Sequence, residues 1–192
     1  MSARIQIKMV LMGKGGVGKT SLVNRYVHQR FSQNYMQTLG QDVFSKKLSI
    51  NNNQVVVQIY DIAGQERFES FRPVYLQGAD LGLAIFDLTI PGTITDLKNQ
   101  WLPELAKSLE KPFYLSVVGN KSDLKEQRAV KESQGKELVA YIKKKYPTIN
   151  IVEYIETSAK ANENVDVAFV NLVQKFIDKT SQKPSSRRRS KS

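Results

Sequence analysis

Gly13-Lys14-Gly15-Gly16-Val17-Gly18-Lys19-Thr20 fits the pattern G-x-x-x-x-G-K-[ST], in which every fixed residue has a task around a chelated polyphosphate. The glycines let the backbone wrap with its N–H groups pointing inward, and a following helix adds the positive end of its dipole. Lys19 would neutralise the β- and γ-phosphates, and the Thr20 hydroxyl would meet Mg²⁺. A second cluster, Asn120-Lys121-Ser122-Asp123, suits a purine base. The Asp123 carboxylate can accept from both the ring N–H and the exocyclic amine of guanine, whereas adenine offers no matching donor pair. Taken alone, that tetrapeptide is equally a polar loop. His28, the single histidine, carries no catalytic case and reads as a helix-end residue.

These residues need elements to place them. Ile5, Ile7 and the run Met9 to Met12 form a strand that becomes continuously apolar, as a strand buried on both faces does. The glycine loop follows it, and Leu22, Val23 and Tyr26 then recur at helical spacing from Lys19 to about His28. Strand-like stretches at 43–50 and 55–60 flank Asn51-Asn52-Asn53 and predict a hairpin. Further apolar strands at 81–86, 113–118 and 151–155 alternate with segments long enough for helices, and Val165, Phe169, Leu172, Val173 and Phe176 mark one face of a last helix. The expectation is an α/β, doubly wound, six-stranded and mostly parallel sheet with one antiparallel strand. Ligands bind such sheets beyond the carboxyl ends of the strands, where both clusters fall.

The order of four segments resembles the Ras superfamily of small GTPases: the phosphate loop, Asp61-Ile62-Ala63-Gly64-Gln65, Asn120-Lys121-Ser122-Asp123, and Glu156-Thr157-Ser158-Ala159-Lys160. The likeness covers about residues 5 to 178. It is nearest the Rab branch, through Thr38-Leu39-Gly40-Gln41-Asp42-Val43, Gly64-Gln65-Glu66-Arg67-Phe68-Glu69-Ser70 and Tyr75-Leu76-Gln77-Gly78-Ala79. It implies a P-loop NTPase G domain that binds GTP and GDP with Mg²⁺, hydrolyses GTP slowly and regulates vesicle trafficking through effectors that read its switches. The resemblance gives catalytic roles to Gln65, which orients the attacking water, and to Lys19 and Thr38. It gives nucleotide contacts to Gly13, Gly15, Gly16, Val17, Gly18, Lys19, Thr20, Ser21, Phe31, Tyr35, Thr38, Gly64, Asn120, Lys121, Asp123, Ser158, Ala159 and Lys160. Metal contacts fall to Thr20, Thr38 and, through water, Asp61. No arginine of the family pattern is placed to act in cis, so an activating protein is implied, with an exchange factor and effectors at the switches. A nucleotide-loaded scaffold without turnover is opposed by Gln65 and Gly15, and an ATPase by Asp123. A Ras-superfamily signalling role outside trafficking stays open. Lys14 stands where Rabs often carry an acidic residue and adds charge near the phosphates. Val43 and Tyr60 stand where phenylalanine and tryptophan are usual, and with Tyr75 they are either an effector patch or packing.

Composition narrows the rest. The chain has 192 residues, enough for one domain plus a tail, and no apolar run approaches the ~18 residues a membrane span needs. No apolar leader core follows Met1, and none of the residues is cysteine, so disulfides, thiolate catalysis, zinc-thiolate sites and prenylated cysteines have no chemical basis here. Of the net charge of +11, six positive charges lie on Lys179, Lys183, Arg187, Arg188, Arg189 and Lys191, leaving +5 for residues 1–178. The division expected is a GTPase domain over 1–178 and a disordered basic tail over 179–192. The tail predicts weak contact with anionic membrane and no specific nucleic acid, in a monomeric protein that is cytoplasmic and transiently on the cytoplasmic face of endomembranes. A solvated tail without a partner, or a nuclear-import or RNA-binding tail, are the alternatives.

Overall fold

A computed structural model describes residues 4–31, 38, 41–64 and 70–181. Six strands, β1 (Arg4–Met12), β2 (Gln41–Ile50), β3 (Asn53–Ile62), β4 (Leu81–Asp87), β5 (Phe113–Asn120) and β6 (Ile149–Thr157), form one sheet in the order β2-β3-β1-β4-β5-β6. Only β2 runs antiparallel, paired with β3 through a two-residue turn in which Asn51 and Asn52 both take left-handed conformations, with φ of 50° and 63°. Asparagine tolerates that region better than most residues, which is why a hairpin closes there.

β1 lies between β3 and β4, so the chain winds outward from it in both directions and the crevice opens at its carboxyl end. Its side chains alternate between two cores. Ile7, Met9 and Leu11 meet α1 (Lys19–His28) and α6 (Val165–Ser181), while Val10 and Met12 meet the opposite layer. That layer holds α2 (Arg72–Leu76), α3 (Gly92–Asp96), α4 (Leu102–Ser108) and α5 (Glu132–Lys145). In α6, Val165, Ala168, Phe169, Leu172, Val173 and Ile177 are buried, a 3.6-residue stripe, and Phe169 stacks on Tyr26 of α1 with ring centroids 4.2 Å apart. α6 continues through Ser181, so Lys179 is helical. The rest of the expected tail, 182–192, lies outside the described residues.

A π-helical turn, Leu97–Trp101, joins α3 to α4. Pro103 lacks the N–H that would bond to the carbonyl of Asn99, and widening the preceding turn is one way a helix absorbs that loss. The turn buries Trp101, the single tryptophan, in the second core.

The strands run one to two residues farther at their carboxyl ends than hydropathy predicts. β3 reaches Ile62 rather than 60, β4 reaches Asp87 rather than 86, β5 reaches Asn120 rather than 118, and β6 reaches Thr157 rather than 155. The ladder continues while the side chains turn polar, because these last residues build the site.

Candidate functional site

The phosphate loop leaves β1 at Gly13 and enters α1 at Lys19. Gly13, Gly16 and Gly18 have φ of 141°, 85° and 97°, a region that other residues enter only with strain. A Cβ at Gly13 would lie 2.2 Å from the carbonyl oxygen of Ile85, and one at Gly18 would lie 2.3 Å from the Asn120 amide. The loop is therefore threaded between β4 and the base cluster. Gly18 supplies no side-chain cap and the first turn of α1 carries no acidic residue, so the N–H groups at this helix end stay open to an anion. Val17 is buried in the core and pins the loop, and Ser21 sits half-buried in the first turn.

Lys19 arches back over the loop. Its Nζ donates to the carbonyls of Gly13 at 2.7 Å and Lys14 at 3.1 Å. Burial pushes its pKa down to about 8, with Asp61 pulling up and Arg72 pulling down. The folded protein thus gives up this proton near pH 8 and the unfolded chain near 10.5. Between those values the unfolded chain binds more protons, so this group makes stability rise with pH, by at most about 1.4 kcal/mol per unit. Nucleotide-free protein should gain stability over a Lys19→Met variant from pH 8 to 9.5 in urea melts, and a constant difference would contradict the assignment.

Three oxygens converge beside it. The Thr20 hydroxyl lies 2.9 Å from that of Thr38 and donates to Asp61 Oδ2, which the Thr38 hydroxyl also approaches at 3.3 Å. Asp61 is fully buried, its carboxyl pushed up by burial against the pull of Lys19 and the two hydroxyls. Its Oδ1 has no hydrogen-bond partner among the described residues. Two hydroxyls and one carboxylate whose second oxygen is buried and spare suit a hard cation that keeps waters, as Mg²⁺ does. Gly64 closes this side, accepting from the Gly15 N–H at 3.1 Å.

The base cluster is braced to the phosphate loop. Asn120 donates to the Val17 carbonyl at 2.9 Å and accepts from the Thr157 hydroxyl at 3.2 Å, so it links the phosphate loop to the end of β6. Asp123 accepts from the Ser158 hydroxyl at 2.6 Å, and Ser158 Oγ accepts from the Ala161 N–H at 2.9 Å. Arg25 donates to the carbonyls of Ala159 at 2.9 Å and Lys160 at 3.3 Å and lies 5.9 Å from the ring of half-buried Phe31. Phe31 thus flanks the 158–160 loop through Arg25 while packing on the first core.

Of the residues expected from sequence, Thr20, Thr38 and Asp61 meet beside Lys19, Asp123 meets Ser158, and Asn120 ties to Val17. Tyr35 and Gln65 lie outside the described residues. Lys14 differs from expectation in one respect: its ammonium pairs with Asp96 of α3 at 3.1 Å, so its charge is answered there. Val43 is 52% exposed and faces Tyr60 across the hairpin, whereas Tyr60 and Tyr75 pack partly on the second core. Sequence reading missed Asp87 and Arg25, and quoted Thr157 within a motif without giving it a role. The one signal for Asp87 was an acidic residue ending an apolar strand run.

A doubly wound α/β sheet with a G-x-x-x-x-G-K-T loop between its first strand and first helix is the architecture of a P-loop nucleotide-binding domain. The Ras family profile matches residues 8–178. The chain is 39% identical over 173 residues to the Ras-related protein Rab7 of Glycine max, covering 87% of this chain and 80% of that protein. It is 34% identical over 177 residues to Rab-7a of Dictyostelium discoideum (91% and 84%), and 33% over 179 residues to Rab-1 of Theileria parva (93% and 78%). The chain belongs to the Ras family, as a Rab-related small GTPase.

Proposed function

We propose that this GTPase is a switch in membrane trafficking, alternating between GTP and GDP forms in the presence of Mg²⁺ and presenting its switch segments to effectors, an exchange factor and an activating protein. The observation that carries the nucleotide reading is the joint placement of Lys19, Thr20 and Asp61 at one end of a crevice and Asp123 with Ser158 at the other, bridged by Asn120. Mg²⁺ held by Thr20, Thr38 and, through water, Asp61 would neutralise charge on the β- and γ-phosphates. Lys19 would exchange its two carbonyl partners for phosphate oxygens. The open N–H groups at the start of α1 and the loop would cradle the remaining oxygens. The Gly64 N–H would contact the γ-phosphate and lose that contact on hydrolysis, and Thr38 would do likewise.

Gln65 would orient the attacking water. Gln65→Leu is expected to leave GTP binding intact and slow single-turnover hydrolysis by about 10²-fold, and a full-rate variant would remove this role. A Cβ at Gly64 would stand 2.4 Å from both the Gly15 nitrogen and the Lys14 carbonyl carbon, which are backbone atoms with nowhere to go. Gly64→Ala should therefore displace the phosphate loop and weaken GTP binding by about ten- to a hundredfold in filter or fluorescence titrations.

No helix among the described residues is long and apolar enough to cross a membrane. We assign a cytoplasmic monomer whose basic segment makes salt-sensitive contact with the cytoplasmic face of endomembranes, since each cation near an anionic surface adds up to about 1 kcal/mol. The deciding experiment is to extract and identify the nucleotide from purified protein and follow its turnover with Mg²⁺. Bound GDP and slow phosphate release are expected; adenine nucleotide, or no nucleotide with no heat on adding Mg-GDP, would overturn the reading.

A further inference from the structure

We infer that Asp87 is a positioning residue for the guanine pocket, acting through Lys121. The inference rests on the nucleotide reading above and adds a residue to it. Asp87 closes β4 opposite Asn120 of β5 and its side chain is 1% exposed. One carboxylate oxygen, Oδ1, accepts from the backbone N–H of Thr89 at 2.8 Å and from its hydroxyl at 2.7 Å. The other, Oδ2, pairs with the Lys121 ammonium at 2.6 Å.

The two oxygens have separable tasks. Holding the Thr89 turn needs only an uncharged acceptor, which asparagine would supply equally well. A buried carboxylate costs far more desolvation than an amide, so the charge is explained by the lysine and not by the turn. Lys121 itself has φ of 72°, a left-handed conformation that disfavours a side chain of this kind. Its backbone is fixed there from one side by Asn120, which is tied to Val17 and Thr157, and from the other by Leu124, whose N–H donates to the Lys121 carbonyl at 3.1 Å. Backbone and ammonium are therefore both anchored, which leaves the methylene stem tethered at both ends two residues before Asp123. A stem held in this way is a preformed apolar wall for a purine face. A free one would first have to be ordered by the ligand, which speeds release.

The test uses the full chain loaded with a fluorescent GDP or IDP derivative and chased with excess unlabelled nucleotide in Mg²⁺. Asp87→Asn keeps the acceptor for Thr89 and removes the charge. It is expected to raise both dissociation rates about tenfold, with the GDP-to-IDP ratio unchanged, because the wall touches features common to both bases. Lys121→Met should accelerate release to a similar extent, and the double variant should be no faster than Lys121→Met alone. A general loss of folding would instead make the two substitutions multiply, and that result overturns the proposal, as does an Asp87→Asn rate within twofold of the unaltered protein. Should Asp87→Asn not fold, Lys121→Arg retains a cation for Asp87: release within threefold of the unaltered protein supports the proposal, and release as fast as Lys121→Met overturns it. Failure of the underlying reading looks different, since the unaltered protein would then not distinguish GDP from IDP at all.

Discussion

Asp123→Asn is expected to lower GDP affinity by roughly 10²- to 10⁴-fold and to turn preference toward xanthine nucleotides, read by competing GDP against XDP for the same protein. The carboxylate is a pure acceptor, and one of its oxygens already accepts from Ser158 at 2.6 Å, which fixes its plane. Guanine presents two parallel donors to such a group. An asparagine in the same frame turns an N–H₂ toward one of them, so a hydrogen bond is lost and a donor is set against a donor. Xanthine carries a carbonyl where guanine carries its amine, and the amide can satisfy that arrangement. Unchanged GTP affinity would show that Asp123 does not read the base.

The other large effect is expected from Lys19→Ala. Affinity for GDP and GTP should fall by about 10²- to 10³-fold, and the protein should purify without nucleotide. Its ammonium is held against two carbonyls of its own loop and is sufficiently desolvated that its pKa falls to about 8, so the loop holds a costly charge that an anion would neutralise. Removing that charge deletes the attraction, while relief of desolvation offsets part of the loss to the fold. The melting temperature of nucleotide-free protein should therefore change little beside the change in affinity. Nucleotide retained at full stoichiometry would show that the loop does not bind phosphate through this lysine.

Much of this site can be read directly from residues close together in the sequence. The phosphate loop declares itself within eight residues, because glycine torsions, one ammonium and one hydroxyl must act on a single ligand end. The apolar runs of β1, β4 and β5 likewise announce a sheet covered on both faces. What sequence conceals is through-space. Asp87 and Lys121 are 34 positions apart, and nothing local in either strand end indicates the other. Arg25 is similarly silent, since it works by bonding to backbone carbonyls, which every residue offers. Lys14 is a related case: its charge is conspicuous beside the loop, whereas its ion pair with Asp96 of α3 is not visible in sequence. Hydropathy also cut the strands short, because the residues that finish β3, β4, β5 and β6 pair their backbones in the ladder while Asp61, Asp87, Asn120 and Thr157 face chemistry.

The Asn120 bridge has a kinetic corollary. One amide side chain is shared between the carbonyl of Val17 and the hydroxyl of Thr157, so the two ends of a seated ligand do not loosen independently. With a nucleotide seated as proposed, escape would require a concerted opening rather than a succession of small ones, and spontaneous emptying would be rare. On that proposed reading the protein would act as a clock that stops in its spent state until something external resets it, and the interval between resets would belong to the cell rather than to the molecule.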